Sequence, residues 1–208
     1  RVVAACERPM EWGERMAIEE IARDVRFWQR LLNFAGYNAG AVDGIYGAKT
    51  RAAAALWTRD AEAAKKNYGT FDERSERNLE TLIPSVQAQA RQWLKLAKAK
   101  AEKLGVEVRV ICGTRTYAEQ DALYNKRPRV TKARGGQSMH NFGLAWDMGL
   151  FNGKAYLGDS PHYATLGALA RGITGLEWGG DWKSFVDQPH IQSNKFSSTA
   201  KARAAFEK

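Results

Sequence analysis

Along residues 17–35 the apolar positions Ile18, Ile21, Ala22, Val25, Trp28, Leu32 and Ala35 recur at spacings of three and four, which predicts one amphipathic helix. Gly36 stops the pattern, and the glycines from Gly40 to Gly47 mark a turn-rich loop. A second helix is predicted from about Ala48 to Lys66, and a short third from Glu73 to Ile83 with Asp72 as its cap. Residues 1–16 show no period and read as an irregular arm. After Pro84, residues 85–104 are rich in Ala, Leu, Lys and Gln and predict a strong helix, ended by Gly105. Val106 to Ile111 alternates apolar and charged and then turns apolar, the pattern of a strand. Arg115 to Asn125 reads as a turn and a short helix, and the basic, Gly-containing residues 126–137 as an exposed mobile loop. A helix over 160–172, strand-sized pieces around Trp146, Trp178 and Ile191, and a lysine- and alanine-rich closing helix complete the chain. Helices and short strands do not alternate regularly, so the class is α+β and not a doubly wound sheet.

A chain of 208 residues suits one domain of about 120 residues beside a smaller one. The division expected is an arm at 1–16, a small three-helix domain at 17–84 and a larger domain at 85–208. No run approaches 18 apolar residues, which excludes a membrane span. No signal peptide is visible, although a leader could precede Arg1. The net charge of +9 falls entirely on residues 85–208, since residues 1–84 hold 13 basic and 13 acidic side chains. That asymmetry points to an anionic partner. No basic repeat is interleaved with aromatics, so nucleic acid is set aside in favour of a wall polymer bearing carboxylates and phosphates. Cys6 and Cys112 are too few for a disulfide framework and too far apart for a CxxC site. Cys112 reads as a small buried hydrophobe, and a Cys6–Cys112 bridge is left open.

Candidate chemistry concentrates in Ser138-Met139-His140-Asn141-Phe142-Gly143-Leu144-Ala145-Trp146-Asp147 and in Asp187-Gln188-Pro189-His190. A catalytic zinc centre takes three protein ligands and keeps a fourth position for water or substrate. His140, Asp147 and His190 supply two imidazoles and one carboxylate, and Asp187 supplies a second carboxylate for proton transfer. Spacing alone does not assign these roles, and two His with one Asp also suit other divalent ions. His162 has no paired motif, and Glu177 and Asp181 read as shaping the Trp/Gly turn between them.

The joint pattern is more specific. Ser138-x-His140-x-x-Gly143-x-Ala145-x-Asp147, then Trp178-Gly179-Gly180-Asp181-Trp182 and Asp187-x-Pro189-His190, resembles the zinc peptidases that include D-Ala-D-Ala carboxypeptidases and L-alanyl-D-glutamate endopeptidases. The stretch Glu177 to Trp182 and Asp187 look most like the endopeptidase branch, known from phage endolysins and bacterial wall hydrolases. The resemblance runs from about Val110 to Gln192 and implies the α+β fold shared by D-Ala-D-Ala peptidases and the hedgehog signalling domain. It further implies one zinc ion on His140, Asp147 and His190, Asp187 as acid/base, and Arg115, in Gly113-Thr114-Arg115-Thr116, facing the scissile carbonyl. Ser138, Gln120 and Trp178 follow as substrate-contact candidates, although the tryptophans at 178 and 182 also suit packing beneath the site. Trp146 departs from a family position that is usually aliphatic.

Trp28-Gln29-Arg30-Leu31-Leu32, Gly36-Tyr37, Val42-Asp43-Gly44-Ile45-Tyr46-Gly47 and Lys49-Thr50 resemble the three-helix peptidoglycan-binding module found beside many wall hydrolases. The pair Leu56-Trp57 departs from the aromatic-Gln pair usual there. Together the two resemblances imply an endolysin-like, monomeric hydrolase of the L-Ala–D-Glu bond in the peptidoglycan stem, exported or released from a host cytoplasm as a phage lysin. The competing expectations are a D,D-carboxypeptidase that trims terminal D-Ala and a non-catalytic wall-binding protein.

Overall fold

A computed structural model describes residues 18–128 and 130–208. The expected arm at 1–16, and Cys6 with its open pairing to Cys112, lie outside the described residues.

The first apolar stripe forms two helices, α1 (Ile18–Arg23) and α2 (Val25–Ala35). The break falls at Asp24, whose carboxylate accepts the Phe27 N–H at 3.0 Å and so caps α2 in the middle of the expected helix. Gly36 ends α2 in the left-handed region at φ 96°, where its N–H meets the carbonyls of Leu32 and Asn33. The following loop is folded around Gln29. Its amide donates to Asp43 Oδ1 at 2.8 Å and its oxygen accepts the Gly44 N–H at 2.9 Å. The helix α3 (Ala48–Tyr68) then packs Trp57 edge-on against Trp28, with ring centroids 4.9 Å apart. The helix α4 (Glu73–Leu79) carries the expected Asp72 cap, on the Ser75 N–H, and stops four residues short of Ile83. Pro84 opens α5 (Pro84–Lys103) at a position where its missing N–H costs nothing.

Five antiparallel strands follow: β1 (Glu107–Cys112), β2 (Ala145–Asn152), β3 (Ala155–Tyr156), β4 (Leu176–Trp178) and β5 (His190–Ser193). They pair in the order β1-β2-β5-β4, with the short β3 added to β2. The helix α6 (Tyr117–Asn125) begins with a Thr116/Glu119 capping box. The helix expected over 160–172 is α7 (His162–Gly167) continued by a tighter 3₁₀ turn, and α8 (Thr199–Phe206) closes the chain. One sheet face packs on α5, where the fully buried Trp146 meets Trp93 at 6.0 Å between rings. Trp146 therefore fills the core. No helix among the described residues is long and apolar enough to cross a membrane.

The helices before Pro84 share one apolar core with the sheet. Polar contacts also cross the expected junction. Ser75 Oγ accepts the Val110 N–H at 3.0 Å, Asn78 Nδ2 donates to the Val110 carbonyl at 3.2 Å, and the Ile83 N–H donates to the Gly143 carbonyl at 3.1 Å. Thr81 does most. Its hydroxyl accepts the Thr114 N–H at 2.9 Å and donates to the Asn78 carbonyl at 2.6 Å. Thr81→Val keeps the shape but strands a buried N–H, and is expected to cost about 1–3 kcal/mol. Chemical denaturation checks this, with Thr81→Ser, which keeps the hydroxyl, expected to fall nearer the parent than Thr81→Val. Equal stability of Thr81→Val and the parent would remove the Thr81 contact from the list of forces joining the two regions.

Candidate metal centre and active site

Strand register assembles the site. Cys112 lies opposite Asp147 across β1 and β2, and Asp147 opposite His190 across β2 and β5. Directly opposed residues share a sheet face, so Asp147 is flanked by both. A register irregularity between Val110 and Cys112 brings the cysteine into this row. The alternate row, Trp146, Ile191 and Trp178, faces the core. One step further along, Glu177 lies opposite Gln192, which returns to the same face as His190. His140 comes from the 3₁₀ turn Met139–Phe142. Its carbonyl accepts the Arg115 N–H at 3.0 Å, and Asn141 Nδ2 donates to the Arg115 carbonyl at 2.9 Å, tying that turn to the loop after β1.

The three expected ligands converge. His140 Nε2 is 3.2 Å from Asp147 Oδ1, His190 Nδ1 is 3.1 Å from the same oxygen, and the two nitrogens are 3.3 Å apart. A tetrahedral ion about 2.0–2.1 Å from each ligand would separate them by roughly 3.3–3.4 Å. The triangle therefore has the size of one face of such a coordination sphere, and its members are only 1%, 4% and 7% exposed. Each imidazole has its other nitrogen engaged. His140 Nδ1 meets the Gly113 carbonyl at 2.7 Å, and His190 Nε2 meets Gln192 Oε1 at 2.8 Å. Both partners are acceptors, so those nitrogens carry the hydrogens and the lone pairs face the centre. The residues present fit a divalent ion with two nitrogen ligands and one oxygen. Cys112 is the fourth group near it, within 4.8 Å of the His140 and Asp147 ligand atoms. That is looser than the triangle, and its sulfur takes an N–H from Arg115 at 3.4 Å. Cys112 is thus buried as expected, but at the edge of the site and not in plain core.

The electrostatics separate the two imidazoles. Burial and the Arg115 charge push His140 down to about 4, so it stays neutral. Burial acts the same way on His190, but the bond to Asp147 and the charges of Asp147 and Asp187 outweigh it and raise its pKa. Burial alone would raise Asp147. The two imidazoles reverse this and hold its carboxyl well below the usual range.

Arg115 NH1 lies 3.9 Å from Asp147 Oδ2, placing a fixed cation at the rim of the triangle. Asp187 enters from the loop before β5, its N–H donating to the Gly179 carbonyl at 3.0 Å. This close approach explains the paired glycines. A Cβ on Gly179 would lie 2.4 Å from the Asp187 carbonyl, and one on Gly180 would lie 2.1 Å from the Trp178 ring. Gly179→Ala must therefore displace Asp187.

A cavity of about 710 Å³ opens over the triangle, lined by Arg115, Ser138, His140, Asp147, Asp187 and His190 among others. Trp182 also lines it, its ring centroid 5.1 Å from that of His190. Two of the substrate-contact candidates lie off the cavity lining. Gln120 is fully buried and does not line the cavity; its amide donates to the Ala133 carbonyl at 2.9 Å and anchors the basic loop from behind. Trp178 lies in the core-facing row, its indole N–H donating to the Gln188 carbonyl at 2.7 Å. His162 does not line the cavity either. The loop 126–137 is exposed at its start, but Gly135 and Gly136 donate to Asp121 and Asn141. Glu177 and Gln192 also line the cavity, and the sequence gives no signal for Gln192 because its partner in β4 becomes visible only with the register.

Residues 131–193 match the D-alanyl-D-alanine carboxypeptidase family, and residues 22–54 match a peptidoglycan binding domain family. The first segment contains Ser138, His140, Asp147, Asp187 and His190. The chain is 39% identical over 116 residues to the peptidoglycan L-alanyl-D-glutamate endopeptidase CwlK of Bacillus subtilis (strain 168), covering 46% of this chain and 65% of that relative. It is 34% identical over 126 residues to the L-alanyl-D-glutamate peptidase of Listeria phage A118, covering 58% of this chain and 41% of that protein. The chain thus spans less than two thirds of either relative. A solved structure, the L-Ala D-Glu endopeptidase ChiX of Serratia marcescens, is 29% identical with a TM-score of 0.46, covering 59% of this chain and 88% of that chain.

Proposed function

We propose that this chain is a zinc-dependent peptidoglycan hydrolase that cleaves the L-Ala–D-Glu bond of the stem peptide. Residues 85–208 form its catalytic region, and residues 17–84 its wall-binding module. The observation that carries the reading is the buried triangle of His140 Nε2, Asp147 Oδ1 and His190 Nδ1, with both imidazole lone pairs turned inward at the floor of an open cavity. The bond is inferred from the names of the similar endopeptidases. Bound there, zinc would act as a Lewis acid and lower the pKa of a coordinated water. Asp187 takes the proton from the attacking water and returns it to the leaving amine. Arg115 offers its planar donors to the carbonyl oxygen as negative charge develops on it. Ser138, on the cavity wall, is a substrate contact. The positive balance of residues 85–208 suits an anionic wall, reached by export or by release as a lysin, with the protein acting as a monomer.

The second reading is a D,D-carboxypeptidase, favoured by the description of the matching family. Mass spectrometry of muropeptides from digested purified walls separates the two. A new amino terminus on D-Glu supports endopeptidase action, and free D-Ala supports the carboxypeptidase. A fully zinc-loaded preparation that cleaves neither bond would leave a wall-binding protein without turnover.

A further inference from the structure

Behind His190, on the side away from the triangle, lie two further polar side chains, Gln192 and Glu177. Gln192 Oε1 accepts from His190 Nε2 at 2.8 Å, and Gln192 Nε2 donates to Glu177 Oε1 at 2.6 Å. Trp182 Nε1 donates to the same carboxylate oxygen at 3.3 Å. Register builds this chain, because Glu177 and Gln192 are directly opposed across β4 and β5 and Gln192 lies two residues after His190 on one face.

We propose that Glu177 and Gln192 are positioning residues that commit His190 to present Nδ1, and not Nε2, to the metal. The inference rests on the zinc reading of the site. A carboxylate offers only acceptors, whereas an amide offers a donor end and an acceptor end. Glu177 therefore draws the NH₂ of Gln192 toward itself, which turns Oε1 toward His190. An acceptor there requires the hydrogen on Nε2 and leaves the lone pair on Nδ1. His140 needs no such device. Its partner is the Gly113 carbonyl, a backbone acceptor that cannot turn. The two halves of the centre thus differ: one imidazole is oriented by main chain, the other by a side-chain relay whose polarity is set at Glu177. A relay of this kind is a recognised way of orienting a metal-bound imidazole.

The test uses the intact protein with four readouts: zinc affinity by chelator competition, the visible spectrum of the cobalt(II) form, thermal stability and turnover. Glu177→Met removes the acceptor that sets the amide, and Gln192→Met removes the acceptor that faces His190. Both are expected to weaken zinc binding by roughly 10–100-fold and to alter the cobalt spectrum. Glu177→Gln keeps an acceptor oxygen, which the Trp182 N–H, a donor only, holds in place, and is expected to bind zinc nearer the parent than Glu177→Met does. Parental zinc affinity in the folded methionine variants would overturn the proposal. So would a Glu177→Gln variant as weak as Glu177→Met, since the loss would then follow charge and not amide polarity. If Glu177→Met does not fold, Gln192→Met decides. A parent protein that binds no zinc would instead sink the zinc reading, and this inference with it.

Discussion

Replacing Asp187 by alanine is expected to lower kcat by about 10²–10⁴-fold, the contribution of a positioned general acid–base, with zinc still bound. The geometry separates the two effects. Asp187 lines the cavity but is not a member of the triangle formed by His140, Asp147 and His190. Its main chain is held apart from its side chain, since its N–H donates to the Gly179 carbonyl at 3.0 Å and its carbonyl accepts the His190 N–H at 3.2 Å. Alanine keeps both bonds, so His190 stays in place. Asp187→Asn is expected to lose as much, because it keeps the volume but cannot accept and return a proton. Turnover of purified stem peptide, with zinc content measured on the same sample, checks both variants. Normal cleavage by Asp187→Ala would take the acid/base role away from Asp187. Full loss of zinc from it would show that the carboxylate supports the metal instead.

Of the three candidate ligands, Asp147 is the one whose position alone marks it in the sequence, because an apolar strand has no other reason to carry a carboxylate. Asp147 sits within Ala145–Asn152, a strand buried on both faces except at its end, and such a position demands a partner. The neighbouring tryptophans were not legible. Trp178 and Glu177 are adjacent, and which of them faces the cavity depends on pairing with β5, more than ten residues away in the chain. A one-residue slip would exchange them. Gln192 is hidden for the same reason, since nothing local marks its amide as the support of an imidazole two residues before it. The place of Gln120 is not legible locally, because the carbonyl it holds, at Ala133, returns to it only after the basic loop folds back. The helix expected over 17–35 broke at Asp24 because the stripe of apolar residues continues through the break, and periodicity does not register a competing cap.

The same limit applies to the junction at Pro84, and it leads to the largest stability effect expected. Arg91 on α5 is fully buried. Its guanidinium is held by both oxygens of Glu76 on α4, at 2.8 Å each, and by the Gly69 carbonyl at 3.0 Å. Glu76 also accepts the Phe71 N–H at 2.8 Å. The pair therefore straddles the junction that Pro84 marks in the sequence, one partner on each side. Glu76→Ala leaves a buried cation without its carboxylate and is expected to cost about 3–5 kcal/mol. Removing the charge as well, in Glu76→Ala/Arg91→Met, is expected to recover much of that loss, because a buried apolar chain pays no desolvation penalty of this kind. The two single variants and the double form a cycle whose coupling energy is read from denaturant titrations. Additive losses would show that Arg91 finds other solvation when Glu76 is gone. Strong coupling would mean that α4 is held to α5 by this pair, and with it Ser75, Asn78 and Thr81, which grip Val110 and Thr114 on either side of Gly113. Gly113 supplies the carbonyl that orients His140. Zinc affinity of Glu76→Ala is then expected to fall together with its stability, which would connect a helix in the N-terminal region to the proposed metal site through residues that are not part of it.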